Sequence, residues 1–495
     1  MSSHHRTLSG RLTRCRVAAA IVFACIFPHT AFAAEPPNGI ALEARLLTPI
    51  SSYTARRNNR VTAVVATSIC DGRDVVIPAG AELHGVVKRV HRVGIGLIHE
   101  TAGLQLAFNE LDYLDGRLYA VASRITAIDN ARERVDARGR IHGIRATATI
   151  SNRVGERLAF AAMGHPVFLL PLFAAETGLL HFPDPEIEFK RGTVMQMSVE
   201  VPTVAPGAQP CPMPVQSSAE DAAGMQSLVD ALPYWSVSKR QPQPMDLVNL
   251  LMVGSQDALE RVFQAAGWIG SRENSMRAGV AAIRAIAEER SYSDAPMRTL
   301  LLDGRDADFR MQKSLDTFEK RDHLRIWRRD DELDGRPVWA LAATRDLSTT
   351  FGLHPFGVTH RIEDDVDLER DKVVRDLYFT GCVDSVDYVQ RPERLRENGR
   401  DYRKGISTDA RVAVVALNAC TQPRNDFESV VPMAQPGKAV RVIRRILLTA
   451  RNHMIRDNLI YRSADAARLG YLAVRDLHWQ AGQERRARAL EAASH

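Results

Sequence analysis

The polar residues best suited to chemistry lie in one stretch of the second half of this 495-residue chain. In the segment HLRIW, His323 and Arg325 alternate with apolar residues, so their side chains face one side of a predicted strand. The next predicted strand ends in Arg345 and Asp346, and a predicted loop then brings His360. Two imidazoles beside a carboxylate can bind a divalent metal and activate water, or share general acid and base catalysis. Asp346 would be a ligand or would orient an imidazole.

A group of acidic residues follows His360 and completes this candidate site. It comprises Glu363, Asp364, Asp365, Asp367, Glu369 and Asp371. Asp367 is the acid we expect to take part, because the first turn of a helix can point a carboxylate back toward the preceding loop. Arg325 and Arg345 would hold a phosphate or carboxylate group in a bidentate manner. The cofactor that this interpretation implies is a divalent metal ion.

A purely structural interpretation of the same residues is also open. Asp364 or Asp365 would cap the predicted helix, and Asp367 and Glu369 would complement its dipole. His323 would then be a hydrogen-bonded residue of the sheet. The sequence does not decide between a catalytic site and a set of structural contacts.

The common catalytic signatures are missing from the sequence. It has no GxSxG elbow, and His99-Glu100 lacks the second histidine of a zinc protease helix. Gly437-Lys438 lacks the upstream glycine of a phosphate-binding loop, and Gly94-Ile95-Gly96 lacks the third glycine of a dinucleotide fingerprint. Hydride transfer and nucleotide hydrolysis are therefore not indicated. The net charge of only +6, from 65 basic and 59 acidic residues, gives no indication of nucleic-acid binding.

The N-terminus has the pattern of a secretory signal. Basic residues precede the apolar run VAAAIVFACIFPHTAFA, which ends in the small-residue cleavage site Ala31-Phe32-Ala33. An uncleaved anchor is the alternative, but the run is short for a membrane span and Pro28 interrupts it. We expect cleavage of residues 1–33 and a periplasmic or otherwise extracytoplasmic protein.

Four cysteines follow the predicted cleavage site, namely Cys70, Cys211, Cys382 and Cys420. Their spacing matches no zinc site. Export would place them in an oxidising compartment, so Cys382 and Cys420, the closest pair in sequence, are candidates for a disulfide. Two buried free thiols are the alternative.

Residues 36–204 are predicted to form a β-rich domain. Apolar residues alternate with period two, as in LQLAF and LHGVV, between turns rich in glycine and aspartate. The segments LLTPISSYTARRNNRVTAVV, VVIPAGAELHGVV and FPDPEIEFKRGTVMQMSV resemble the periplasmic β-barrel domain of conjugation and type IV secretion channel proteins. The shared feature is a tight turn, here Pro78-Ala79-Gly80, that starts a strand.

The apolar segment 158–182 departs from this alternation. In those channel proteins an apolar insert at a similar place enters the outer membrane, so the resemblance implies membrane contact here. His165, Pro166, Pro171, Glu176 and His181 interrupt the segment, which favours a buried loop or helical hairpin instead.

A proline-rich linker, residues 205–224, separates the β-rich domain from a second domain, residues 225–420. There, strands and helices intermix without a regular βα alternation, which favours a multidomain α+β protein. The motifs NLLMVG, GW, SYSDAP, RDHLRIW, GRPVWALAATRD and VTHRIEDDVDLERD occur in order and resemble the LssY C-terminal domain family. In that family the domain is often appended to membrane proteins and has no established activity of its own. The resemblance therefore implies an envelope context and no particular reaction.

The chain ends in a predicted basic helical tail, residues 438–488. Ile443, Ile446, Leu447, Ala450 and Met454 form one apolar stripe, with most arginines off it. Such a helix can lie on an anionic membrane surface or bind an acidic partner. Alternatively, it packs on the preceding domain and leaves a solvated basic face.

The sequence as a whole favours an exported cell-envelope protein that binds envelope proteins or anionic surface ligands. The alternative is a metal-assisted hydrolase acting on a phosphate-bearing or other anionic envelope substrate, through the residues around His323 and Asp346.

Overall fold

A nine-stranded sheet near the N-terminus curls into a nearly closed barrel. The computed structural model describes residues 39–71, 74–96, 99–113, 116–149, 183–201, 219–239, 243–271, 297–313, 320–351, 358–392, 406–424 and 436–456, with scattered positions between 460 and 485. The predicted signal (1–33), the apolar segment 158–182, most of the predicted linker and a helix predicted over 276–289 lie outside these residues.

The described part of the β-rich domain contains thirteen strands. They are β1 (Ile40–Leu46), β2 (Ile50–Ser51), β3 (Arg60–Val65), β4 (Ile69–Asp71), β5 (Asp74–Ile77), β6 (Glu82–His91), β7 (Gly103–Asp112), β8 (Leu118–Ala120), β9 (Ala122–Ile128), β10 (Arg134–Val135), β11 (Ile141–His142), β12 (Glu188–Phe189) and β13 (Val194–Glu200). The large sheet has the order β10-β11-β7-β6-β3-β1-β13-β9, with β8 on β7. Two short pairs, β4-β5 and β2-β12, accompany it.

The barrel nearly closes where β9 returns to β7. The Val121 amide donates to the carbonyl of Asn109 (2.9 Å), and the Phe108 amide donates to the Ser123 hydroxyl (2.9 Å). Alternate side chains such as Phe108 point inward and form one buried core. The predicted turn at Pro78-Ala79-Gly80 is confirmed, with Gly80 in the left-handed region at φ 92°.

The described part of the second domain contains twelve strands and three helices. The strands are β14 (Trp235–Ser238), β15 (Pro244–Leu247), β16 (Leu250–Val253), β17 (Trp268–Gly270), β18 (Leu300–Leu302), β19 (Arg305–Asp306), β20 (Phe309–Lys313), β21 (Arg321–Leu333), β22 (Arg336–Phe351), β23 (Val358–Ile362), β24 (Val383–Gln390) and β25 (Arg411–Leu417), and the helices are α1 (Ala219–Asp230), α2 (Gln256–Ala265) and α3 (Val366–Phe379). Helix α1 begins inside the stretch that the sequence assigns to the linker.

An eight-stranded sheet organises this domain, in the order β17-β20-β21-β22-β16-β25-β24, with β23 on β22. Only β16 and β25 pair in parallel, so the α+β prediction is confirmed. One face packs against α2 and α3, through residues such as Phe263 and Leu377. The other face packs against α1 and the small sheet β15-β14-β18-β19, around Trp327.

Local sequence signals account for several element ends in this domain. The Ser255 hydroxyl caps α2 by accepting from the Ala258 amide, and Gly267 follows the helix at φ 81°. The DELDG hairpin turns at Asp334 and Gly335, both with positive φ. Ser255 before the helical run QDALERVFQAA, Gly267 after it and the Asp-Gly pair of DELDG predict these ends from the sequence, and the structure confirms each prediction.

The predicted disulfide between Cys382 and Cys420 is present, with a Cα–Cα distance of 4.7 Å. It joins the end of α3 to the segment after β25, and both cysteines are buried in the core on the α2 and α3 side of the sheet. The described part of the tail contains helix α4 (Lys438–Arg456). None of the described helices is both long and apolar enough to cross a membrane.

Candidate functional site

His323 and Asp346 meet on neighbouring strands of the large sheet. The register pairs Arg321 with Asp346 and His323 with Thr344, so alternate residues of β21 and β22 share one face. His323 Nδ1 lies 3.3 Å from Asp346 Oδ2, and Arg321 Nη2 lies 3.8 Å from the same oxygen. All three residues are buried, which makes this a closed cluster rather than an open cleft.

Arg325 belongs to the same face but is held by other groups. Its guanidinium pairs with the buried carboxylate of Asp246 on β15 and donates to the carbonyl of Arg298 (3.2 Å). Asp246 is fixed in turn because its amide donates to the Ser236 hydroxyl (3.1 Å). As the structure stands, Arg325 serves as an internal ion-pair partner and not as an exposed anion clamp.

The Asp346 carboxyl is the group of this cluster with the most altered acidity. Burial raises its pKa to about 7, with Arg321 opposing the rise and Asp246 adding to it. A carboxyl that holds its proton near neutral pH beside an imidazole is suited to proton transfer. It is equally suited to a neutral hydrogen-bonded contact inside a protein.

Arg345 immediately precedes Asp346 in the chain, so its side chain faces the other side of the sheet. Its guanidinium contacts Asp129 (2.5 Å) and Asn130 (3.4 Å), which lie in the turn between β9 and β10 of the barrel domain. Asp322, opposite Arg345 in the register, accepts a hydrogen bond from Asn130 (3.0 Å). The structure therefore separates the predicted anion clamps, Arg325 and Arg345, onto two faces.

Arg345 is part of a buried ionic cluster that joins the two domains, both within the compact unit Pro36–His495. Lys372 on α3 donates to both Asp129 and Asp322. Asp376, one helical turn further, binds Arg45 of β1 (2.7 Å) and Lys313 of β20 (2.5 Å). Barrel residues thus supply partners for charges that would otherwise be buried alone.

Charge compensation decides the acidity of this cluster. Burial alone would raise the pKa of Asp376, but Lys313 and Arg45 hold it at about 2. Burial and the charge of Asp322 raise the pKa of Glu369 well above its usual value. No described group donates a hydrogen bond to either Glu369 oxygen. Glu369 is therefore the weak point of an otherwise paired cluster.

Sequence reasoning missed this cluster. Lys372 and Asp376 lie at the spacing i, i+4 on the face of α3 that also carries Val373 and Leu377, which pack in the core. Charged residues on a core-facing stripe are the one local signal of buried ion pairs. Their partners Asp129 and Arg45 lie more than two hundred residues away, and no local pattern identifies them.

Asp367 lies apart from His323 and Asp346 at the start of α3. Its carboxylate accepts from the Thr408 hydroxyl (3.0 Å), the Arg370 guanidinium (3.1 Å) and the Asp409 amide. Burial raises its pKa, against the hydrogen bond from the Asp409 amide. These contacts tie the helix start to the segment before β25, a role that neither interpretation of the sequence included. Asp365 caps the helix by accepting from the Asp367 amide (3.2 Å).

His360 lies in strand β23, where its backbone pairs with Thr349 of β22. The prediction of a loop at this position was wrong, because β23 extends the sheet edge beyond Asp346. The His360 side chain is outside the described residues. Among the residues that are described, no group of three or more His, Cys, Asp or Glu side chains is arranged to hold a metal ion.

Residues 230–408 match the family model described as LssY C-terminus. The match lies inside the range 225–420 that the sequence motifs indicated, so the predicted resemblance is confirmed. A search of curated proteins found no match to the chain.

One solved structure that matches is ComB10 of the Com type IV secretion system of Helicobacter pylori. The match has 13% identity and a TM-score of 0.19, and covers 32% of this chain and 85% of that one. At these values the similarity agrees with a weak resemblance and establishes neither a shared fold nor a shared function.

Proposed function

We propose that the protein is an exported, non-catalytic cell-envelope module that binds envelope proteins or an anionic surface. The observation that carries this proposal is that the predicted reactive groups are buried and paired with other side chains of the protein. His323 and Asp346 are buried against one another and Arg321, and Arg325 is paired with Asp246. Groups held in this way stabilise a fold and are not presented to a substrate.

The ionic cluster between the domains also supports a binding role. Arg45 and Asp129 of the barrel domain pair with Asp376 and Lys372 of α3 inside the protein. Breaking such buried pairs is expensive, so the two domains should act as one rigid body. A rigid two-domain body presents its surfaces to a partner in a fixed arrangement.

Two further observations support export. The first 33 residues carry the features of a cleavable signal, and the Cys382–Cys420 disulfide suits an oxidising compartment. N-terminal sequencing of the protein from a periplasmic extract should begin at Ala34. A cytosolic protein that begins at residue 1 or 2 would overturn this part of the proposal.

The test of the non-catalytic assignment is the stability of His323→Ala and Asp346→Asn. If these side chains are structural, each variant should lose about 1–3 kcal/mol of unfolding free energy, because a buried polar partner is left unsatisfied. His84→Ala, on the barrel and a third exposed, is the matched control and should change little. Elemental analysis of the wild type should find metal well below one equivalent.

The second candidate, a hydrolase of phosphate-bearing or other anionic envelope substrates, is favoured by the pKa of Asp346 near 7 beside His323. It predicts the opposite result. His323→Ala would keep its stability and lose a stoichiometric metal or a measurable hydrolytic activity. That combination would refute the binding-module proposal.

A further inference from the structure

Helix α4 packs on the barrel domain through a side that carries arginines as well as an apolar residue. Arg444 donates to the Val93 carbonyl (2.9 Å) and pairs with Glu186, while Arg451 donates to the Gly94 carbonyl. Leu448 joins the barrel core between these two arginines. The spacing of these three residues defines one side of the helix, and that side is turned inward.

The apolar stripe predicted from the sequence is consequently turned outward. The residues Val440, Val442, Ile443, Ile446, Leu447 and Met454 are between 42% and 66% exposed. At about 100° per residue, they span an arc of roughly 160° beside the packed side. The alternative of a packed helix with a solvated basic face therefore describes α4 only in part: the helix packs on the barrel and leaves basic residues exposed, but Arg444 and Arg451 take part in the packing and the apolar residues face solvent.

The charged residues of α4 itself all have one sign. Lys438–Arg456 contains six lysine or arginine residues and no aspartate or glutamate. Lys438, Arg441 and Arg445 are exposed along one edge of the apolar arc. On the barrel side, Arg92 stacks on Tyr53 (4.9 Å), the ring that Arg444 also covers (4.6 Å). Cations therefore lie next to one edge of the stripe and on the side of α4 that packs against the barrel.

We propose that α4 is the element by which this protein lies on an anionic lipid surface, with its apolar stripe at the boundary of the acyl chains. A wide apolar arc with cations beside it suits a helix in the plane of a membrane interface. A single partner helix would cover only a narrow seam. A second copy of α4 would bring like charges together without a carboxylate from either helix. This inference rests on the proposed binding function and specifies its surface and ligand.

The test is co-sedimentation of the full mature protein with vesicles of phosphatidylcholine alone or with 30% phosphatidylglycerol. The wild type should bind the anionic vesicles at least tenfold more strongly, and 0.5 M salt should weaken that binding. Ile443→Ser combined with Ile446→Ser should reduce the partition coefficient at least tenfold, because both side chains are buried in the lipid. Arg441→Glu combined with Arg445→Glu should reduce it similarly.

Leu118→Ser is the matched control, since Leu118 is 56% exposed but lies on strand β8 of the barrel. It should bind as the wild type does, and all variants should unfold at the wild-type denaturant concentration. Equal binding of the wild type and the double serine variant would overturn the proposal. The proposal would also be overturned if the wild type bound no vesicles. Two other results would overturn it as well: self-association of the wild type that the serine variant lacks, or capture of an acidic protein partner through α4 without lipid binding.

The two proposals fail in different experiments. If α4 does not bind lipid, the predictions for the stability and metal content of His323→Ala still stand. A metal-dependent activity at His323 would overturn the binding-module proposal whether or not vesicles are bound.

Discussion

Replacement of Lys372 by methionine tests whether the buried ionic cluster holds the two domains together. Lys372 is buried and donates to Asp129 of the barrel domain and to Asp322 of β21. Glu369 and Asp376 lie close enough for their charges to raise the pKa of the lysine, against the effect of its burial. Methionine keeps most of the side-chain volume, so the variant removes the charge with little change in packing.

The expected loss is about 3–5 kcal/mol of unfolding free energy, the range for removal of one partner from a buried ion pair. Asp129 and Asp322 would be left without their shared cation in a buried site. Arg345 still contacts Asp129 (2.5 Å), which should keep the loss from exceeding that range. Because Asp129 belongs to the barrel domain, part of the loss should be coupling between domains.

Denaturant unfolding followed by tryptophan fluorescence and far-ultraviolet circular dichroism measures this loss. Four of the five tryptophans lie in the second domain and the fifth, Trp479, lies in the tail, so fluorescence reports mainly on the second domain while circular dichroism reports on both domains. In the wild type the two curves should coincide. In Lys372→Met both midpoints should fall, and the curves should separate if the domains uncouple.

Arg305→Met is the control, because Arg305 pairs with Asp330 at a fully exposed site and its loss should have no measurable effect. A double-mutant cycle with Asp129→Asn should give a coupling free energy above about 1 kcal/mol. If Lys372→Met is no less stable than Arg305→Met, the cluster does not hold the domains and the reasoning fails.

Three further results follow from the second domain. Burial raises the pKa of Asp346 from 3.8 to about 7, so the folded state keeps a proton that the unfolded state loses between these values. The unfolding free energy of the wild type relative to Asp346→Asn, measured in urea, should therefore fall by roughly 3–5 kcal/mol from pH 4 to pH 7, and the loss of about 1–3 kcal/mol expected of Asp346→Asn applies at pH 4. Joint replacement of Cys382 and Cys420 by alanine opens a loop of 38 residues and should lower the unfolding free energy by about 4 kcal/mol on the chain-entropy model. Reduction of the wild type should lower it similarly, and an unchanged stability after reduction would show that both thiols were already free. Ser255→Ala removes the cap of α2 and should lower the unfolding free energy by about 1 kcal/mol, a loss that Ser255→Asn should largely avoid.

Sequence patterns predicted the features of this fold that depend on residues close together in the chain. The cap at Ser255, the turn at Asp334-Gly335 and the alternation of His323 with Arg325 each follow from local backbone geometry. The disulfide was also predictable, because both cysteines lie at element ends and close together in sequence.

The contacts that define the candidate site depend on long-range packing. Asp129 is 216 residues from Arg345 and 243 from Lys372, and nothing in the segments around them specifies the pairing. The orientation of α4 was left open by the sequence for a different reason. Amphipathic periodicity shows that a helix has two faces but does not show which face packs, and here Val93, Gly94 and Glu186 offer acceptors to arginines on the packed side.

The alternation of charge along β21 and β22 has a consequence for how these strands align. Arg321 and Asp346 face one side, while Asp322 and Arg345, their chain neighbours, face the other. A slip of β22 by one residue would bring Arg345 opposite Arg321 in one direction, or Asp346 opposite Asp322 in the other. Either slip would bury a pair of like charges on neighbouring strands, whereas a purely apolar pair of strands would tolerate the same slip with a modest loss of packing. The two ionic clusters therefore disfavour misalignment of this hairpin in both directions, because each misaligned register brings like charges together.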